Sequence, residues 1–150
     1  MKNIPHRYLR TYMNLWPPFL GAGIRVKRLE PDFRAIDIEM KLRRWNANWV
    51  GTHYGGSLYS MTDPFFMVML IENLGRDYIV WDKSAAIRFR KPGTGTVTAQ
   101  FRLSEEQVQE IRDALKLEPK IDRNFSVEVK DKSGAVIAEV QKVVQIRRKA

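Results

Sequence analysis

The residues with the clearest chemical potential lie at positions 48–70, where a polar, glycine-bearing segment leads into an apolar one containing a single carboxylate, Asp63. Gly55 and Gly56 let a ligand approach the backbone closely, and the first N–H groups of a helix lack intrahelical partners. Such N–H groups stabilise a carbonyl oxygen that gains negative charge. Asp63 would lie about two turns further along, and an acid in apolar surroundings needs a partner or a task. The pattern predicts a carbonyl-binding site with an acidic group nearby.

Each of these residues also has a purely structural interpretation. Asp63 would then hydrogen-bond a loop at a helix broken by Pro64, and the glycine pair would form a tight turn beneath a closely packed helix. Asn48 either orients water or substrate through its amide or caps its own loop, and Asn46 competes with it for that role. The sequence leaves both interpretations open.

The helices that must position these residues can be outlined from hydrophobic periodicity. Apolar residues at helical spacing predict an amphipathic helix over 5–16, which Pro17 and Pro18 end. Residues 56–74 are apolar on all faces, which predicts a buried helix. Because Pro64 removes one backbone hydrogen bond, this helix is either kinked or starts late.

The remaining elements are mostly strands. Residues 104–116 predict a surface helix, with a capping box formed by Ser104 and Gln107. Alternating apolar and polar residues predict strands at 24–29, 35–42, 78–91, 95–103, 123–131 and 135–147. Residues 131–134 predict the turn of a hairpin. Strands on both sides of one apolar helix predict an α+β fold, with an antiparallel sheet wrapped around that helix.

Composition limits the chemistry that the chain can perform. Its 150 residues, 44% of them hydrophobic, suit one globular domain over 1–150. There is no cysteine, which excludes disulfides, thiolate nucleophiles and Cys-based metal sites, and two histidines are too few for a multi-His metal site. No secretory signal and no spanning apolar run are present, which predicts a cytoplasmic protein.

The chain is strongly basic, with a formal net charge of +9 and a pI near 10.0. Such a surface attracts polyanions, among them nucleic acid, an anionic membrane, an acidic carrier protein and coenzyme A. A solvated surface with a basic tail at 147–149 accounts for the charge equally well. Nucleic-acid binding therefore rests on charge alone, and we expect none.

A motif in the middle of the chain resembles that of the hotdog-fold acyl-CoA thioesterases. Its features here are Asn48, Gly51-Thr52, Gly55-Gly56 and Asp63, followed by Val80-Trp81-Asp82-Lys83-Ser84-Ala85. The whole chain is similar to the branch of this superfamily called domain of unknown function 4442, with its PaaI-like relatives. The resemblance implies a hotdog fold, an antiparallel sheet wrapped around a long central helix, over most of the chain. Many relatives have His immediately before the glycine pair, where this chain has Tyr54.

The resemblance implies hydrolysis of an acyl-CoA or acyl-carrier thioester. Asp63 would be the base or nucleophile, and Asn48 would orient water or substrate. The amides of Gly55 and Gly56 would bind the thioester oxygen. Coenzyme A would enter as part of the substrate, and neither a metal nor another cofactor is implied. His53 has a pKa suited to acid–base work, although a structural role is the alternative.

Side chains around this centre would bind the substrate. The expected set is His53, Tyr54, Tyr59, Phe66, Trp81, Arg88, Arg90 and Lys91. The acyl chain would run along Tyr59, Phe65, Phe66 and Met69. Trp81 would border the acyl tunnel or the dimer seam, while Asp82 would point away from it in a surface ion pair. Arg88 and Arg90 share one face of a predicted strand, a spacing that suits a phosphate of coenzyme A or an exposed sheet face.

The resemblance also implies self-association. A homodimer or a dimer of dimers would hide the exposed sheet edge and set Asp63 of one subunit opposite Gly56 and Asn48 of its neighbour. Two other functions remain open. One is a protein that binds acyl-CoA or fatty acid without turnover, and the other is an acyl-thioester hydratase or dehydratase, which would need His53 with a carboxylate.

Overall fold

The computed structural model describes residues 5–149, apart from the side chain of residue 6, and contains five helices and six strands within that range. The helices are α1 (His6–Leu15), α2 (Pro17–Ala22), α3 (Gly55–Ser60), α4 (Phe65–Leu74) and α5 (Glu105–Leu117). The strands are β1 (Ile24–Leu29), β2 (Ala35–Lys41), β3 (Tyr78–Phe89), β4 (Thr96–Arg102), β5 (Lys120–Asp131) and β6 (Val136–Arg148). The predicted strands and the helices over 5–16 and 104–116 are present with small differences at their ends, whereas the predicted helix over 56–74 is divided into α3 and α4.

All six strands form one antiparallel sheet in the order β1-β2-β4-β5-β6-β3. The predicted turn joins β5 and β6, where the Asp131 carboxylate accepts hydrogen bonds from the amides of Ser133 and Ala135. Gly134 has a positive φ of 85°, which a side chain would strain. Strands β1 and β3 are the two edges of the sheet.

The core lies between the sheet and α4. Phe65 and Phe66 of α4 meet Phe101 of β4 with ring centroids 4.9 and 5.2 Å apart, and Phe66 stacks on Phe125 of β5 at 4.7 Å. Five of the ten residues of α4 are buried, as the apolar sequence predicts, and Glu72 is exposed near its end. The antiparallel sheet therefore wraps around this helix.

The predicted helix over 56–74 is interrupted, forming two helices separated by residues 61–64. Pro64 has no N–H to donate, so the ladder of helical hydrogen bonds cannot continue through it. A turn forms instead, in which the Thr62 backbone N–H donates to the Tyr59 carbonyl at 2.8 Å. Helical hydrogen bonding resumes in α4, where the Val68 backbone N–H donates to the Pro64 carbonyl. The interruption places Asp63 at a corner between two helix ends.

Helices α1 and α2 cover the β1 edge. Leu9 and Met13 of α1 are buried, which confirms the predicted amphipathic face. The Asn14 side chain accepts a hydrogen bond from the Val26 amide at 2.7 Å and donates to the Val26 carbonyl at 3.2 Å. Pro17 ends α1 as predicted and also begins α2, because proline fits the first position of a helix.

Strand β3 is a long edge strand with little cover. Its 12 residues pair only with β6 among the described residues. The segment 83–86 is exposed, as are Trp81, Arg88 and Phe89. Strand alternation turns the Asp82 side chain to the same side as the buried Val80, while Trp81 and Lys83 are exposed. A one-residue bulge follows between Asp82 and Ser84.

Candidate active site

Asp63 lies at the corner between α3 and α4 with one carboxylate oxygen anchored. Its Oδ1 accepts a hydrogen bond from the Tyr59 hydroxyl at 2.8 Å and contacts the Lys142 ammonium at 3.3 Å. Its Oδ2 has no partner among the described residues, and 48% of the side chain is exposed. The carboxylate is thus held from one side and open on the other.

Lys142 of β6 is the residue that the sequence analysis missed. Its side chain is fully buried, and its ammonium donates to the backbone carbonyl of Asp63 and to Oδ2 of Asp82 at 2.6 Å. With the contact to Oδ1 of Asp63, all three of its donors are used. The sequence does indicate its burial, because Lys142 alternates with Val140 and Val144 on the inward-facing side of β6.

Asp82 therefore differs from the expectation of a surface ion pair. Its partner is the buried Lys142, and its Oδ1 is buried without a hydrogen-bond partner in the described protein. The exposed member of this segment is Lys83, which pairs with Asp122 at 2.6 Å. The Lys142 ammonium offsets the charge of the partly buried Asp82, which would be costly without a partner, and the more exposed Asp63 also faces solvent.

Tyr59 links α3 to this ionic cluster. Burial, followed by the hydrogen bond to Asp63 and the charges of Asp63 and Asp82, raises the pKa of Tyr59 to about 12. The hydroxyl consequently stays protonated at physiological pH and keeps donating to Oδ1 of Asp63. The Lys142 ammonium also lies 6.0 Å from the centre of the Tyr59 ring.

Gly55 and Gly56 begin α3, and their amide N–H groups have no acceptor within residues 5–149. A side chain at either position would crowd an exposed ring, which would have to shift. A Cβ on Gly55 would lie 3.0 Å from the Phe89 ring, and one on Gly56 would lie 2.5 Å from the Tyr54 ring. The glycine pair thus combines close packing with unpaired N–H groups, and its role as an oxyanion donor stays a prediction.

Asn48 organises its own loop. Its Oδ1 accepts from the amides of Val50 and Thr52, and its Nδ2 donates to the Thr52 hydroxyl at 2.8 Å and weakly to the His53 carbonyl. The competing Asn46 is buried, and its amide bonds the backbone at residues 22, 41 and 43. Both side chains therefore fix the loop over residues 43–54.

His53 is also held within the protein. Its Nε2 lies 2.9 Å from the Gly95 carbonyl, which can only accept, so Nε2 carries the proton. Burial lowers the pKa of His53, and the bond to Gly95 opposes that shift in part. Its Nδ1 is buried with no partner in the described chain. This geometry gives His53 a structural position.

The expected substrate-binding side chains occupy different environments. Phe66 belongs to the core, together with Phe65 and Met69, so no open tunnel runs along them. Tyr54 and Trp81 are exposed. The basic residues Arg88, Arg90 and Lys91 are exposed around the end of β3. Arg90 pairs with Glu139 at 2.7 Å, and this guanidinium holds the pKa of that carboxyl below its usual range.

The predicted residues come together in two separate groups. One consists of Asp63, Tyr59 and Asp82, which meet around Lys142, a residue that was not predicted. The other surrounds a groove of about 430 Å³ beside the glycine pair, whose lining includes Asn48, His53, Gly55, Phe89, Arg90 and Lys91. Asp63 does not line this groove.

No group of three or more His, Asp or Glu side chains that could hold a metal ion occurs in the part that the structure describes. None of the helices within residues 5–149 is long and apolar enough to cross a membrane.

Comparison with solved structures confirms that this sheet and helix form the hotdog fold. A protein of unknown function from Pseudomonas aeruginosa, described as a probable thioesterase, superposes with a TM-score of 0.85 at 22% identity over 97% of each chain. A thioesterase from Haemophilus influenzae superposes with a TM-score of 0.68 at 11% identity, over 97% of this chain and 92% of that one. The E. coli PaaI protein, from the phenylacetic acid degradation operon, superposes with a TM-score of 0.64 at 14% identity, over 96% of this chain and 92% of that one.

The family model described as domain of unknown function DUF4442 matches residues 6–146. The chain therefore belongs to this family, as its motif predicts. A search of curated protein sequences found no match. The identities to the solved structures are low, so those likenesses establish the fold, and the reaction has to be argued from the residues.

Proposed function

We propose that this protein hydrolyses an acyl thioester, with coenzyme A or a carrier as the thiol component, and that Asp63 is its catalytic carboxylate. The observation that carries the proposal is the unequal environment of the two Asp63 oxygens. Oδ1 is fixed by Tyr59 and Lys142, while Oδ2 is free at an exposed corner. A carboxylate with one anchored and one open oxygen has the geometry of a positioned base or nucleophile.

In the general-base route, Oδ2 of Asp63 takes a proton from water as the water oxygen attacks the thioester carbon. The tetrahedral intermediate then expels the thiolate, which recovers the proton from Asp63. In the nucleophilic route, Oδ2 attacks directly, the thiolate leaves, and water hydrolyses the resulting anhydride. Both routes need the carboxylate ionised at the start, and the Lys142 ammonium lies 3.3 Å from its Oδ1.

The oxygen of the thioester needs donors where negative charge develops. The amides of Gly55 and Gly56 supply two unused N–H groups at the start of α3. Removing one donor of this kind costs on the order of 3 kcal/mol of transition-state stabilisation. Asn48 contributes by fixing the loop before the glycine pair, because its own amide is engaged there.

The separation of the two groups is explained if the site is shared between subunits. We propose a homodimer in which two β3 edges pair, because a long exposed edge strand is an unsatisfied pairing surface. Asp63 of one subunit would then face the glycine pair and Asn48 of its partner. A dimer of dimers is compatible with this arrangement. The cytoplasmic location expected from the sequence is part of the proposal.

The groove beside the glycine pair would receive the substrate in such a dimer. Tyr54 and Trp81 are exposed near the edge that would form the seam, and both would contact the acyl group or the pantetheine arm. Arg88 and Lys91 are exposed, so they would be available to the phosphates of coenzyme A. The reaction needs no metal or other cofactor.

The environment of His53 argues against hydration or dehydration of a thioester. Such a reaction needs a histidine that exchanges protons with the substrate, whereas Nε2 of His53 is bound to the Gly95 carbonyl and the ring is buried. A protein that binds acyl-CoA without turnover would use the same groove. It would not need an open carboxylate oxygen.

The test is thiol release from a panel of acyl-CoAs, from acetyl to palmitoyl and including phenylacetyl. Wild type, Asp63→Asn and the control Asp113→Asn are compared. Asp113 lies on the exposed face of α5 and pairs with Lys116, so its loss should not affect turnover. We expect release by wild type and the control and none by Asp63→Asn. Full activity in folded Asp63→Asn would end the mechanism, and saturable binding without release would indicate a binding protein.

A further inference from the structure

The large exposed apolar side chains concentrate at the two opposite edges of the sheet. One group surrounds β3 and the loop beside it and consists of Trp49, Val50, Tyr54, Trp81 and Phe89. The other group lies on the β1 side and consists of Tyr8, Tyr12, Leu15, Leu20 and Trp45. The first is accounted for by the proposed dimer and its site. The second has no role in that function.

The β1-side group is built around helix α2. Residues 11–24 carry no charge, and within them Leu15 and Leu20 point into solvent, with Leu20 57% exposed. Pro17 and Pro18 are exposed at the start of the helix. Trp45, 68% exposed, lines the same groove as Leu15 and Leu20. These side chains form a projecting apolar surface, which we call the α2 face.

Cations surround the α2 face. Arg25, Lys27, Lys41 and Arg43 line the groove with Leu15, Leu20 and Trp45, and Glu39 is the carboxylate among its lining residues. The Arg43 guanidinium lies 5.9 Å from the Trp45 ring centre. Lys27 and Lys41 each approach Glu39 only to 3.8 Å and remain about half exposed.

We propose that the α2 face docks the protein on an anionic membrane surface. Exposed leucines and a tryptophan enter the boundary between headgroups and acyl chains, while the surrounding lysines and arginines stay at the level of the phosphates. Trp suits this boundary because its ring is apolar and its N–H is polar. Docking here leaves the β3 edge free for the proposed dimer.

The charge pattern favours a lipid surface over a second copy of this chain. Two copies meeting through this face would set one cluster of cations against another, which is unfavourable. A nucleic acid would satisfy the cations, but it would leave Leu15 and Leu20 without an apolar environment. Anionic lipid satisfies both parts of the surface.

The experiment measures co-sedimentation with vesicles of phosphatidylcholine alone and with vesicles containing phosphatidylglycerol, at low and high salt. We expect binding to the anionic vesicles only, weakened by salt. Lys27→Gln with Lys41→Gln should lower the partition coefficient about 25-fold, at about fivefold per cation. The matched control, Lys120→Gln with Lys132→Gln, removes the same charge elsewhere and should give a partition coefficient close to that of wild type.

Apolar insertion is tested separately. Leu20→Glu should reduce vesicle binding at least about tenfold, because a carboxylate replaces a leucine that the proposal inserts into the anionic membrane. Leu117→Glu makes the same change at the 88% exposed Leu117 of α5 and should bind like wild type. Anionic vesicles should shift the tryptophan emission to the blue, and Trp45→Phe should remove that shift while the protein still sediments.

Three results would overturn the proposal. The first is an absence of binding to anionic vesicles at low salt. The second is an equal fall in the partition coefficient for the Lys27/Lys41 double variant and its Lys120/Lys132 control. The third is wild-type vesicle binding by Leu20→Glu. Binding to an acidic protein or to RNA without binding to vesicles would assign the face to that partner instead. None of the substituted residues belongs to the proposed catalytic site, so thiol release in solution serves as the check on folding.

Discussion

At the scale of single residues, the buried Lys142 distinguishes this site from a lone acid on a helix. It ties three parts of the chain together, since it lies on β6 and binds Asp82 of β3 and both the backbone and side chain of Asp63. Removing one partner of a buried ion pair leaves an uncompensated charge, which is more costly than never having had the pair.

Lys142→Met should therefore lower the free energy of unfolding by about 3 kcal/mol, because Asp82 is left charged and half-buried. Urea denaturation measures the loss. The control Lys83→Met breaks only the exposed pair with Asp122 and should cost under about 1 kcal/mol. Adding Asp82→Asn to Lys142→Met should recover part of the stability. If the double variant is no more stable than Lys142→Met, the stranded charge is not the cause.

Tyr59 should contribute to turnover by fixing Oδ1 of Asp63. A hydrogen bond to a charged group contributes about 1.5–3 kcal/mol, so Tyr59→Phe should reduce kcat at least about tenfold, with a smaller effect on KM. Because the pKa of Tyr59 is raised to about 12, the hydroxyl keeps its proton and the ratio of wild-type to variant kcat should be constant from pH 7 to pH 10. A ratio that falls steadily toward pH 10 would contradict this, and Tyr12→Phe is the control.

At the scale of elements, the loop over residues 43–54 depends on an uncharged His53. Burial lowers the pKa of His53 in the folded state, so below the ordinary value of 6.5 the unfolded chain binds a proton that the folded chain does not. The contribution of His53 to the free energy of unfolding is therefore present above pH 6.5 and is lost as the pH falls.

We expect the free energy of unfolding to fall less between pH 7.5 and pH 5.5 in His53→Gln than in wild type, because the Gln amide can still donate to the Gly95 carbonyl but does not titrate. Equal losses would exclude His53 as the source.

Helix α5 offers a check on a motif visible in the sequence. The Ser104 hydroxyl accepts from the Gln107 amide at 3.2 Å, and the Gln107 side chain accepts from the Ser104 amide at 2.9 Å, which confirms the predicted capping box. Ser104→Ala should lower the free energy of unfolding by about 1 kcal/mol in urea denaturation, since the helix start loses a partner. Ser84→Ala, on the exposed part of β3, should change it little.

At the scale of the whole molecule, a site shared between subunits predicts complementation. Asp63→Asn and Gly56→Val should each be inactive, because one lacks the carboxylate and the other crowds the donor. Mixed after dissociation and reassembly, they should recover about a quarter of wild-type thiol release, since half of the dimers are mixed and each has one intact site. No recovery despite verified mixed dimers would place the whole site within one chain.

Much of the fold could be predicted because its signals are local. The alternation of apolar residues located the strands, and the spacing around the glycine pair located Asp63. The environment of Asp63 depends on Lys142, which lies 79 positions later and is brought near only by the sheet. Pro64 was compatible with either a kinked helix or a helix that starts late, and the structure has two helices separated by residues 61–64. Asn48 bonds its own loop and His53 bonds the distant Gly95, and a sequence pattern does not specify either partner.

The hydrogen bonds between Asn14 and Val26 have a consequence for aggregation. The Asn14 side chain occupies both backbone polar groups of Val26, so a strand from another molecule cannot pair with β1 at that position. In the proposed dimer the two β3 edges would cover each other, and the blocked position on β1 would then oppose further growth of the sheet into a fibre. The Asn14 amide thus works against sheet polymerisation on the β1 side.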